Sequence, residues 1–247
     1  MDRLIHTSLS AMRAAMARQA TTANNLANAS TTGFRAEMSA AMPRYLNGPG
    51  FDGRAAASEE IVSADMKAGA ITQTGRPLDV AMNGDALLAV QSDEGDEAYT
   101  RRGDLQLSDS GLLTTGDGHP VLGDQGPITL PPADRIVIDK QGMISIVPAG
   151  GDPKELQQVD RLKIVSPAGS KILKGLDGLF RVPEGGTLPS DPAGRVTPGS
   201  VEGSNVNATT ALIDMIEASR SWETQIKMMT TAQDLDRSSA DLMRLPD

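Results

Sequence analysis

Near the N-terminus the apolar positions Ile5, Leu9, Met12, Met16, Ala20, Ala23 and Leu26 follow one another at steps of three or four residues. That spacing puts most of them on one stripe of an α-helix. Arg13, Arg18 and Gln19 fall largely off the stripe, and alanine-rich sequence favours helix intrinsically. The pattern predicts a helix from about Leu4 to Ala27. It stops in the tract NNLANASTTGFR, Asn24 to Arg35. There Asn28, Ser30, Thr31, Thr32 and Gly33 compete for backbone hydrogen bonds or tolerate positive φ. The other end of the chain mirrors this beginning. Ala208, Leu212, Met215, Ser219, Trp222, Ile226 and Met229 alternate steps of four and three, a heptad-like seam. Asn207 or Ser204 is placed to cap it. A helix is expected over 208–242, its register weakening where Gln233 and Asp236 take seam positions. Such helices have no core of their own and need a partner.

Between the helices the pattern changes. Short apolar runs such as LDVAMNGDALLAV, RIVIDKQGMISIV, RLKIV and GLFRV are separated by Gly, Asp and Pro. Leu105 and Leu107 alternate with polar residues, while DSG at 109–111 and GDG at 116–118 read as hairpin turns. Closely spaced strands of this kind predict a sandwich or barrel. The expected plan is an N-terminal helix and polar segment (1–42), a connecting segment (43–68), a mainly β central domain (69–183), a linker and return segment (184–206) and a C-terminal helix (207–247). Flexible junctions are expected at Asn47–Ala57, rich in Gly and Ala, and at Glu184–Ser200, rich in Gly and Pro. No internal repeat is evident.

Composition narrows the function. The chain has 247 residues, a formal net charge of −9 and 39% hydrophobic residues, but only 2% aromatics and a single tryptophan. The acidic balance argues against nucleic acid, whose binding rests on basic patches. Twelve methionines suit helix seams and adaptable surfaces better than cofactor ligation. With no cysteine, disulfides, thiolate metal sites and cysteine nucleophiles are excluded. The first residues lack the basic start and unbroken apolar stretch of a signal peptide. No run approaches a membrane span. If the protein leaves the cytoplasm, the expected route needs no cleaved leader.

Catalytic chemistry is hard to place on this sequence. The two histidines, His6 and His119, read as a helix-face and a hairpin residue. Phosphate-binding loops, dinucleotide fingerprints, nucleophile elbows and zinc helices are absent from the sequence. A calcium loop starting at Asp104 fails, because position six is Asp109 and position twelve Thr115, where Gly and Glu are required. Asp93 to Glu97 reads as a solvated turn. No catalytic, cofactor-binding or metal site is expected, and no small-molecule substrate.

Several segments together resemble the rod and hook family of the bacterial flagellum along nearly the whole chain. They are NNLANASTTGFR, then GRPLDVAMNGDALLAV with Thr74 before it, YTRRGDLQLSDSGLLTTGDGHPVLG, VEGSNVN and ASRSWETQIKMM. The departure is Leu87 and Leu88, where the family commonly carries two Phe. Length and RLKIVSPAGSKILKGLDGLFRV are most similar to the proximal rod member with one β domain; the distal rod protein and the hook protein are alternatives. The resemblance implies export by the flagellar type III apparatus. It also implies assembly of the terminal helices into an inner, coiled-coil-like tubular layer with other rod proteins and further copies, in the periplasmic part of the basal body. On that basis the expected assembly residues are Ile5, Leu9, Met12, Met16, Ala23, Asn24, Asn25, Leu26, Asn28, Thr32, Gly33, Phe34, Asn205, Leu212, Met215, Trp222, Ile226 and Met229. Outside the family, an export adaptor or a cell-wall hydrolase are the other readings.

Overall fold

A computed structural model describes residues 2–45, 55–152 and 155–242. Its architecture is a mainly β central region with one long helix from each end of the chain. Helix α1 spans Asp2–Ala27 and α2 spans Ala208–Leu242, close to the bounds expected from periodicity. Asn207 caps α2: its Oδ1 accepts the Thr210 N–H at 3.1 Å, satisfying one donor that a helix start leaves open, and its carbonyl accepts the Ala211 N–H at 2.9 Å as the first helical bond. Ser204 instead accepts the Val206 N–H, shaping the turn before the cap.

The chain divides into two compact units. The first holds residues 1–27, 37–63 and 207–247, in which α1 and α2 pack against each other. It also carries a two-stranded sheet of Glu37–Tyr45 and Ala55–Ala64. These strands occupy ground expected to be a connecting segment. The sequence AAASEEIVSA lacks the aromatic residues that usually mark a strand, so its strand character comes from its pairing. The junction expected at Asn47–Ala57 lies, up to residue 54, outside the described residues.

The second unit holds residues 28–36 and 64–206. Its centre is a five-stranded antiparallel sheet with spatial order Ile164–Val165, Leu87–Gln91, Glu97–Thr100, Phe180–Arg181, Leu173–Lys174. Both faces of this sheet are covered. Leu88, Val90 and Ala98 enter one apolar cluster with Val80, Leu113, Ile144 and Ile164; Leu87, Ala89 and Tyr99 enter another with Val165, Phe180 and Leu188. A strand buried on both faces reads as a continuous apolar run rather than an alternating one, which explains the stretch ALLAV. Leu87 and Leu88 are both fully buried, on opposite faces, so the departure from aromatic residues leaves the strand intact.

Beside this sheet, Ala133–Ile138, Met143–Pro148 and Gln157–Arg161 form a three-stranded antiparallel sheet. The DSG turn closes the hairpin of Leu105–Leu107 and Leu113–Thr115, with Gly111 at φ +80°, a conformation that costs glycine nothing. The return segment is more ordered than a linker: Val196–Pro198 pairs with Val80–Met82, and Ser200–Glu202 with Ile71–Gln73. The barrel-like expectation is corrected. Among the described residues the strands form separate small sheets, none of which closes on itself, because Gly and Pro interrupt the runs before a continuous ladder can form.

Candidate assembly surface

The most deeply buried residues of the two helices are small, while many of their larger apolar residues stay exposed. On α2 the covered side runs Ala211, Met215, Ala218, Trp222, Gln225, Met229, Ala232, Asp236 and Ser239, again at steps of four and three. Ala211 and Ala218 are its buried members. On α1 the buried pair is Thr21 and Thr22, preceded by half-buried Ser8, Ala11, Ala14 and Ala15. Small side chains let helices approach closely but bury little apolar area.

The expected seams are therefore split. Met12, Leu26, Met215, Trp222 and Met229 are half-buried, whereas Leu9, Met16, Ala23, Leu212 and Ile226 are exposed. Ile5 lies on α1, its side chain outside the described ones. Ile213 and Ile216 add to the uncovered side of α2, each more than half exposed. Sequence periodicity finds the apolar stripe but cannot say which side of it a neighbouring helix covers. Here the covered face of α2 mixes Ala211, Ala218, Ala232 and Ser239 with Met215, Trp222 and Met229, and Leu9, Met16, Leu212, Ile213, Ile216 and Ile226 are left exposed. A cleft of about 570 Å³ opens between the later turns of α1 and the early turns of α2, lined by polar groups including Arg18, Thr22, Asn25, Asp214, Glu217 and Ser221.

Asn25 has a defined task within this unit. Its side-chain amide donates to the Glu37 carbonyl at 2.9 Å and its Oδ1 accepts the Glu37 N–H at 2.8 Å. The amide thus reproduces a strand partner and fixes where the hairpin begins. Asn24 is exposed at the end of α1.

The rest of the polar tract, Asn28 to Ala36, folds with the β unit. Thr31 donates its hydroxyl to Asn28 Oδ1 and its N–H to the Asn28 carbonyl, both at 3.1 Å. Thr32 is half-buried in the turn that follows. Gly33 sits at φ +68°, and a Cβ there would collide with the backbone of Arg101 and Arg102. Its N–H donates to the Glu202 carbonyl at 2.7 Å. Phe34 lies under the Lys174 ammonium, 3.8 Å from its ring centre, and Lys174 also donates to the Arg35 carbonyl. Asn205 ties three segments together: its Oδ1 accepts the Ala36 N–H at 2.7 Å, and its Nδ2 donates to the carbonyls of Asp65 and Lys67.

Sequence reasoning missed the charged centre of this knot. Arg35, Arg101 and Glu202 are all almost fully buried. Glu202 Oε1 pairs with Arg35 at 2.7 Å and accepts the Gly69 N–H at 2.7 Å. Its Oε2 accepts from Arg101 Nε at 2.8 Å and from the neighbouring guanidinium nitrogen. Arg101 also donates to the carbonyls of Met82, Gly84 and Ala86. Burial pushes the Arg101 guanidinium below its usual range, Glu202 pulls it back, and the nearby Arg35 charge lowers it again. The available signal was a charged residue inside each recognisable segment: Arg in TGFR, Arg in YTRR and Glu in VEGSN.

Three family models match the chain: a flagella basal body rod protein model over residues 5–35, a hook protein FlgE/F/G D1 domain over 81–146, and the flagellar basal body rod FlgEFG C-terminal model over 197–242. The flagellar basal-body rod protein FlgF of Escherichia coli is 41% identical over 240 residues, covering 95% of each chain. Its Salmonella typhimurium counterpart is 39% identical over 251 residues, covering 99% of this chain and all of that one. The rod protein FlgG of Bacillus subtilis is 29% identical over 273 residues, with 99% and 100% covered.

Proposed function

The chain belongs to the flagellar basal-body rod protein family as a structural subunit of the rod, and we propose that it takes the proximal place and assembles there through its two terminal helices. The observation that carries this reading is the pair of leftover stripes, Leu9 and Met16 on α1 and Leu212, Ile216 and Ile226 on α2, exposed as large apolar side chains. Large apolar side chains grouped along an exposed helix face are what an interaction site offers a partner. The α1–α2 contact leaves these side chains uncovered, so apolar area that could help offset the ordering of two long helices is still open. Neighbouring rod subunits and further copies of the chain supply the missing area, in a coiled-coil-like inner layer.

Helices that become fully stable only on assembly also suit passage through the flagellar type III export apparatus, since a weakly ordered terminus threads more readily than a packed one. The assembled position is the periplasmic part of the basal body. Leu212→Asp tests this directly. Because Leu212 is about half exposed, the variant is expected to keep its circular-dichroism spectrum and melting temperature while failing to restore a rod in cells lacking the gene. A rod of normal length built from Leu212→Asp would overturn the helix-mediated reading.

A further inference from the structure

The buried cluster of Arg35, Arg101 and Glu202 contains two cations and one anion. Breaking a buried ion pair is costly because it strands a charge, so the three members are not equivalent. Arg101 is anchored by Glu202 and by three carbonyls of the loop 82–86. Arg35 has only Glu202 and the Lys67 carbonyl, at 2.6 Å, and its Nε–H is buried without an acceptor. Arg35 is thus the surplus charge, held next to a second guanidinium and with a donor unsatisfied. Removing it leaves a balanced Arg101–Glu202 pair; removing Glu202 leaves two facing cations.

We infer that Arg35 is the pin of a latch: the segment Asn28–Ala36 docks on the β unit by inserting a surplus cation into an already complete Arg101–Glu202 pair, so that it opens without unfolding the unit beneath. When Arg35 withdraws into water its charge and its Nε–H are both solvated, and the pair left behind is neutral. The hydrogen bonds that break with it are Gly33 N–H to the Glu202 carbonyl, Ala36 N–H to Asn205, Asn205 N–H to the Phe34 carbonyl, Asp65 N–H to the Ala36 carbonyl, and the Lys174 ammonium to the Arg35 carbonyl. The Lys174 stack on Phe34 goes with them. In sequence this segment lies between α1 and the hairpin that begins at Glu37, so the latch governs a stretch between two pieces of the helical unit. The core strands Leu87–Gln91 and Met143–Pro148 take no part in it.

Amide hydrogen exchange of the full chain, read by mass spectrometry, tests the latch with Arg35→Met, Glu202→Gln and the double variant. Arg35→Met is expected to speed exchange across residues 31–37 and 65–70 by about tenfold or more, with Leu87–Gln91 and Met143–Pro148 unchanged. Glu202→Gln should in addition loosen residues 82–86, where Arg101 is anchored. The double variant should exchange more slowly at 82–86 than Glu202→Gln alone, because the second cation is gone. Equal loosening of latch and core in Arg35→Met, or no change in either, would overturn the inference. So would a double variant less protected at 82–86 than Glu202→Gln. Should Glu202→Gln fail to fold, Arg35→Met alone decides between a separable latch and an integral core contact.

Discussion

Residues buried in this protein act through what they would leave behind. Tyr99 is fully buried, its hydroxyl donating to Glu97 Oε1 at 2.9 Å and accepting the Leu188 N–H at 2.5 Å. Burial, chiefly, pushes its phenol up to about 12 from an ordinary 10. A raised folded pKa stabilises the neutral form, so this contribution is intact below pH 10 and is lost as pH climbs from 10 to about 12. Ultraviolet titration of a Tyr45→Phe chain, which leaves Tyr99 as the lone tyrosine, should show ionisation starting well above pH 10; an ordinary phenol curve would contradict the burial argument. Asp177 works in the opposite sense: hydrogen bonding to Arg181 holds it below its usual value, so its contribution is present above that value and lost as pH falls through the folded one. At Gly33 the limit is steric. Gly33→Ala places a Cβ on the Arg101 backbone in a left-handed conformation, and a loss of ~2 kcal/mol or more in urea unfolding is expected; an unchanged midpoint would mean the tract can shift freely.

Elements were legible in the sequence to different depths. Both helices, their ends and a polar cap before α2, at Asn207 or Ser204, follow from periodicity and polar stops, because those signals are local. The hairpin of Leu105–Leu107 with Leu113–Thr115 follows from its DSG turn for the same reason. What escaped depends on distant partners. The strand Ala55–Ala64 has no aromatic signal, and the strand Ser200–Glu202 is defined by its pairing with Ile71–Gln73. Which face of α2 is covered is likewise decided by α1: Ala211 and Ala218 face inward although Leu212 and Ile226 are the stronger apolar residues. The roles of Asn25, Asn205 and Gly33 were visible only as polar or flexible positions within a recognisable tract. Their hydrogen bonds reach residues 12 to 169 positions away, beyond any sequence window. Ala218→Met tests the covered face of α2. Overfilling it should cost about 1–3 kcal/mol of helix stability and shift thermal melting by circular dichroism; Ile216→Met, on the open side, should not.

At the scale of the molecule, a β unit with its own two-faced core is joined to a helical unit that leaves apolar stripes uncovered. On the proposed reading the exposed stripes are where neighbouring subunits would pack, and the β unit carries its own buried core. Among the described residues no helix is long and apolar enough to cross a membrane. The most direct measurement is electron microscopy and mass spectrometry of basal bodies purified from cells with the gene, without it, and with the Leu212→Asp form. Wild-type rods should contain the chain, and particles should lack rod and hook both in the deletion and with Leu212→Asp. A complete rod in particles from the deletion strain would contradict a structural role in the rod.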